Sequence, residues 1–168
     1  RSVAFHRPIP IDTPLLRVSR LASVKHKDTS SGPLSIMTMT HTIQLADAAE
    51  VALEESQTFL LLSSRHVERD EGEAPPDTVP LLSKTMTPDD TLLFQFSALS
   101  FNSHKIHLDR AYAREVEGFP DLVVNGGLTT LLMTELARLD LGLKIKSITV
   151  TNKRPLYVNR PLTLSAYP

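Results

Sequence analysis

Hydrophobic and polar positions alternate most cleanly over Leu34 to Leu45, where Leu34, Ile36, Met37, Met39, Ile43 and Leu45 stand among Thr, Ser, His and Gln. A period near two puts apolar side chains on one face of an extended chain, so this stretch predicts a long β-strand. Leu15 to Val24 interleaves Leu16, Val18 and Leu21 with Arg17, Ser19 and Arg20 and reads as a strand with one exposed face. Val51 to Leu62 is ambiguous by period, but its Thr58-Phe59-Leu60-Leu61-Leu62 end favours a third strand. DTSSGP at 28–33 is a turn by composition, and Ala46 to Glu50 breaks the second strand from the third. Three strands joined by short turns suggest an antiparallel meander. Ahead of them, Arg1 to Pro14 is read as irregular, because Pro8, Pro10 and Pro14 block helix.

The pattern then changes. Arg65 to Asp90 is charged, rich in proline and poor in large apolar residues, and is read as a linker. Thr91 to Ala98 looks strand-like, with Leu93 or Phe94 and Phe96 marking alternate faces. Phe101 to Glu117 is polar and turn-like, with a short helix over Arg110 to Glu117. Leu122-Val123-Val124 is a brief extended run. Gly126-Gly127 then opens the best helix of the chain, about 128–141, with Leu128, Leu131, Leu132, Leu136 and Leu139 at helical spacing and Gly142 at the C-cap. Its apolar residues take up so much of the circumference that a buried helix is expected. Lys146 to Asn152, Leu156 to Val158 and Leu162 to Ala166 read as strand, broken at Pro155 and Pro161. The resulting organisation is a strand-rich part over 1–64, a linker over 65–90, and a helix-bearing part over 91–168.

Composition narrows the chemistry. A chain of 168 residues at 41% hydrophobic carries one substantial core as a first expectation. A net charge of -1 gives no electrostatic footprint for nucleic acid or an anionic membrane surface. The absence of cysteine excludes disulfides, thiolate catalysis and Cys-based zinc sites. No apolar run approaches the ~20 residues of a membrane span. His6, His26 and His66 make no metal-ligand spacing, and His41 on the alternating strand reads as a strand histidine. No Walker loop, dinucleotide fingerprint or serine elbow is present. Lys25-His26-Lys27 reads as a solvated face before it reads as a phosphate contact, and Arg154 sits in no motif.

The chain does carry a dense phrase. SALSFNSHKIHLDRAYAREVEGFPDLVV runs from Ser97 to Val124 and is followed by Asn125-Gly126-Gly127-Leu128. It resembles the signature of the MaoC-like hydratase/dehydratase family, which reads Asp-x-Asn-Pro-aliphatic-His, then a His-Gly, then a long apolar helix. The nearer likeness is to the hydroxyacyl-thioester dehydratase and mesaconyl- or itaconyl-CoA hydratase branch. The resemblance implies an α+β hot-dog fold, a long central helix wrapped by an antiparallel sheet. That branch often carries two such units in tandem, so the chain is expected to be parts of a tandem double hot-dog. A start without Met is read as not the natural start. The resemblance also implies a hydro-lyase acting on an acyl thioester such as a 3-hydroxyacyl- or enoyl-CoA. It implies no metal or redox cofactor, with coenzyme A or a carrier protein as part of the substrate. A homodimer or an internal pair is the expected assembly, and the cytoplasm or mitochondrion the expected compartment.

Such a reaction needs an acid/base group and fixed donors for the thioester oxygen. His107 is the candidate acid/base, since imidazole titrates near neutrality. Asn102 stands where the wider family has aspartate; an amide has no ionisable pair, so it is assigned to hold water or a hydroxyl. His104 is the second acid/base candidate. Asp109 is read either as a partner orienting His107 or as a cap on the following turn. Asn125, Gly126 and Gly127 form the expected oxyanion and substrate-binding segment, although the glycines also suit a turn needing positive φ. The missing aspartate and missing His-Gly leave two further readings: a repurposed hot-dog lyase, isomerase or thioesterase, and a non-catalytic hot-dog binding subunit.

Overall fold

A computed structural model describes residues 1–29, 32–67 and 76–168. Part of the DTSSGP turn and of the expected linker falls outside the described residues. The chain divides into two compact units, Arg1–Ser64 with Lys144–Thr151, and Arg65–Leu143 with Asn152–Pro168.

The first unit is a five-stranded antiparallel sheet. Its strands are β1 (Ser2–Phe5), β2 (Leu15–Thr29), β3 (Gly32–Leu45), β4 (Val51–Leu62) and β6 (Ser147–Thr149), in the order β2-β3-β4-β1-β6. The meander of β2, β3 and β4 is the one the alternation predicts. β1 is the exception. Its prolines lie beyond Phe5, so Ser2–Phe5 is free to donate a full ladder and pairs with both β4 and β6. Register slips between Leu21 and Ser23, and again between Ile43 and Gln44, where a bulge locally increases twist.

The second unit holds the helices. β5 (Leu82–Met86) pairs antiparallel with β7 (Leu162–Ala166), so a strand lies within the stretch read as linker. Helix α1 (Asp90–Leu99) replaces the strand expected over Thr91 to Ala98. Asp89 supplies the reason. Its carboxylate accepts the Leu92 N–H at 2.8 Å, a side-chain cap that starts a helix directly after Pro88. Leu93 and Ser97, four residues apart, then form its buried face. Two short turns follow, a 3₁₀ turn over Lys105–His107 and a π turn over Tyr112–Glu117. Helix α2 (Gly126–Glu135) continues into a π turn over Leu136–Asp140, and Gly142 at φ 65° closes it in the left-handed conformation that glycine adopts freely. The helix is not buried all round. Leu128 and Leu136 are buried, but Leu131, Met133 and Leu139 are 47%, 39% and 64% exposed, so this chain's own residues cover one side of it.

The core of this unit gathers Leu93, Ala113, Leu122, Val124, Leu128 and Val158. Burying each large aliphatic side chain contributes about 1.5–3 kcal/mol before entropy is counted. A second cluster of Ile106, Val123 and Tyr157 lies beside it. Leu122 and Val124 point into one cluster and Val123 into the other, which is the alternation of an extended run.

Candidate active site

The run 122–124 sets the geometry. The Val124 N–H donates to the Leu156 carbonyl at 2.7 Å and the Val158 N–H donates to the Leu122 carbonyl at 3.0 Å. Alternate peptides face opposite edges of an extended chain, so those of Val123 are turned the other way. Its N–H donates to the Ile106 carbonyl at 2.9 Å, and its carbonyl oxygen lies 2.7 Å from His107 Nδ1. A carbonyl can only accept. Nδ1 therefore carries the ring proton, and the lone pair of neutral His107 sits on Nε2.

His107 is 8% exposed. Burial pushes its pKa below the ordinary imidazole value, more than the Val123 bond raises it, and the nearby His104 ring pushes the same way as burial. The two imidazoles meet edge-on at 5.7 Å between centroids. His107 is thus a neutral imidazole with a defined tautomer at pH 7. His104 itself is exposed and precedes the 3₁₀ turn without capping it.

Asn102 is half-buried, and its Oδ1 accepts the His104 N–H at 3.1 Å, which shapes the entry to that turn. Its own N–H donates to the Ser97 carbonyl at 2.9 Å. Asp109 caps: its carboxylate accepts the Tyr112 N–H at 2.9 Å, while the Nδ1 of His107 is committed to Val123.

Asn125 is 1% exposed and occupies the N-cap of α2. An asparagine there commonly caps its own helix. This one does not: its Nδ2 donates to Ser97 Oγ at 3.2 Å and its Oδ1 is buried without a partner among the described residues. The first-turn amides therefore have no side-chain cap, which leaves them to a ligand oxygen. Gly126 and Gly127 have ordinary φ, so their requirement is steric rather than conformational. A Cβ on Gly126 would meet Asn152 Nδ2 at 2.7 Å, and one on Gly127 would meet Phe96 Cζ at 3.0 Å.

Ser97 is the residue the sequence reading missed. At 3% exposed on α1, it receives the Asn102 N–H on its carbonyl and the Asn125 amide on its hydroxyl, and so joins the two asparagines. Read as a strand, the stretch gave it no such role; the Asp89 cap after Pro88 was the available signal. His107, His104, Asn102, Asn125, Gly126 and Gly127 all belong to this one linked region. In the other unit, Nδ1 of buried His41 accepts from Arg17 at 3.1 Å and lies 2.8 Å from Ser19 Oγ, as a satisfied strand histidine does. Among the described residues no group of three or more His, Asp or Glu is placed to hold a metal ion. Among the described residues, likewise, no helix is long and apolar enough to cross a membrane.

An antiparallel sheet with a glycine-opened helix and a histidine-bearing turn is the make-up of a hot-dog fold of the MaoC-like kind. A MaoC-like dehydratase from Phytophthora capsici superposes with a TM-score of 0.69 over 96% of this chain and 58% of its own, at 16% identity. The peroxisomal multifunctional enzyme type 2 of Drosophila melanogaster gives 0.73 over 96% of this chain and 30% of its own, at 15% identity. The chain belongs to the family of hydroxyacyl-thioester dehydratase type 2, whose sequence model matches residues 1–158. It is 34% identical, over 99% of its length, to the mesaconyl-C(4)-CoA hydratase of Chloroflexus aurantiacus, and spans 59% of that protein. It is 30% identical, over 68% of its length, to the mitochondrial hydroxyacyl-thioester dehydratase type 2 of Schizosaccharomyces pombe, and spans 39% of that one.

Proposed function

We propose that this protein is a hydro-lyase that adds or removes water across the carbon–carbon double bond of an acyl thioester. The observation that carries the reading is the His107 tautomer: its Nδ1–H is held by Val123, so Nε2 presents a lone pair from a buried, neutral ring. In the hydration direction, Nε2 takes a proton from water held by the Asn102 side chain, and the water oxygen bonds to the β-carbon. The π electrons move through the α-carbon to the thioester oxygen, which the amides of Gly126 and Gly127 receive. The enolate then collapses and its α-carbon takes the proton back from His107. Water is consumed as H and OH, and the base returns to its starting form. Dehydration runs the same steps backwards.

The names of the relatives support a coenzyme A or carrier thioester as substrate, and the family's chemistry calls for no further cofactor. His104 is the second acid/base, across its edge contact with His107. We read 1–64 and 91–168 as parts of two hot-dog units, with the stretch 65–90 that carries β5 between them, and an internal pair or a homodimer as the working assembly. Open edges such as that of β2 favour a paired state. Of the two compartments expected, the mitochondrial relative supports the mitochondrion.

The test is a panel of short enoyl- and 3-hydroxyacyl-CoA substrates, followed both by the enoyl-thioester absorbance and by free thiol. Absorbance change without thiol release is expected. Thiol release would make the protein a thioesterase, and silence in both assays from a folded protein would contradict the reading.

A further inference from the structure

We infer that Arg110 is a positioning residue that decides which nitrogen of His107 carries the proton, acting through Asp121 and the Val123 peptide. The inference rests on the reading of His107 as the base, but its test does not.

Arg110 lies three residues after His107. Its Nε donates to Asp121 Oδ1 at 2.7 Å, and one of its terminal nitrogens lies 2.9 Å from both oxygens of Asp90 at the start of α1. Asp121 in turn accepts the Leu122 N–H at 2.8 Å on the same Oδ1, and Arg114 at 3.2 Å on its Oδ2. Burial pushes the Asp121 carboxyl up, but the Arg110 bond and the Leu122 N–H, with the two guanidinium charges, outweigh it and keep it ionised. The carboxylate thus pins the N-terminal end of the run 122–124 to the helical segment that starts three residues after His107. Among the described residues, only the Val123 carbonyl holds Nδ1–H. When nothing fixes Nδ1, the neutral ring is free to carry its proton on Nε2, where a base needs a lone pair. A guanidinium suits this task because its planar fork reaches two carboxylates at once, which an ammonium on a flexible stem does not.

The histidine ring nitrogens of the full chain, ¹⁵N-labelled, are recorded by NMR well above the imidazole titration range. Wild type is expected to show Nδ1–H at His107. Arg110→Met and Asp121→Asn are expected to shift it to Nε2–H or to a mixture, with Arg110→Lys between. Asp90→Asn, which leaves the Arg110–Asp121 link intact, is expected to keep Nδ1–H. On an enoyl thioester, kcat of the two shifted variants falls at least about tenfold with KM near the wild-type value. Unchanged Nδ1–H in folded Asp121→Asn overturns the inference; asparagine still offers Leu122 an acceptor, so this variant carries the test if Arg110→Met does not fold. An equal shift in Asp90→Asn overturns it too, because the effect would then be general loosening. Lack of turnover in wild type counts against the hydro-lyase reading alone, since the ring signal is read without substrate.

Discussion

The Nδ1–H of His107 donates to the carbonyl oxygen of Val123 at 2.7 Å, and Val123 returns its own N–H to Ile106 at 2.9 Å. One residue of an extended run thereby grips the turn that bears His107 twice. The side chains of Leu122 and Val124 are locked in the core on the opposite face, so the grip cannot slide without opening that core.

This burial predicts the pH dependence. Protonation removes the lone pair, and the folded pKa of His107 lies below its ordinary 6.5. The acidic limb of kcat/KM is therefore expected below that value, not at it. Stability follows the same sign. The unfolded chain binds the proton more readily, so the contribution of His107 is full above pH 6.5 and is lost as pH falls from there through the depressed folded value. Denaturant titrations of wild type and His107→Gln across that window check it; the wild type should lose more stability on acidification.

Ser97→Ala tests the junction between the two asparagines. It strips the hydroxyl that partners the Asn125 amide and leaves that buried side chain wholly unpaired. A cost of about 1–3 kcal/mol is expected, read as a lower midpoint in chemical denaturation. Loss of activity beyond the loss of folded protein would show that the helix start had moved.

The two glycines should separate. Phe96 packs against the core, so the methyl of Gly127→Ala has little room and is expected to destabilise by about 1–3 kcal/mol. Asn152 is exposed and can swing away from Gly126→Ala, so stability should hold. If the first-turn amides hold the thioester oxygen, a methyl beside them crowds it, and kcat/KM is expected to fall on the order of tenfold to a hundredfold. Thermal melts and kinetics on both variants decide the point.

Asn102→Ala should lower kcat by about tenfold or more if the amide holds the reacting water. Asn102→Asp keeps the acceptor for the His104 N–H, so the turn should persist. Equal rates in Asn102→Ala and wild type would remove Asn102 from the mechanism.

Much of this was legible in the residues. The alternation of Leu34 to Leu45 is β3, and the leucine spacing after Gly126-Gly127 is α2 with the π turn that continues it, closed at Gly142. The phrase around His107 pointed to the family and to the turn. α1 was hidden because Leu93, Phe94 and Phe96 mimic a strand over so short a stretch, and one aspartate cap outweighs that pattern. β1 and β5 were hidden because neighbouring prolines dominate their composition, although neither strand contains one. The role of Val123 was not readable at all, since a backbone carbonyl leaves no mark in a sequence. Nor was the commitment of the Asn125 amide to Ser97, which depends on α1 being a helix.

The most direct measurement is the loss of enoyl-thioester absorbance with wild type and His107→Ala, at matched concentrations and with circular dichroism confirming both folds. The account predicts turnover in the wild type that drops by about 10²–10⁴-fold in the variant, the range that a lost acid/base group produces. Turnover that survives His107→Ala would contradict it.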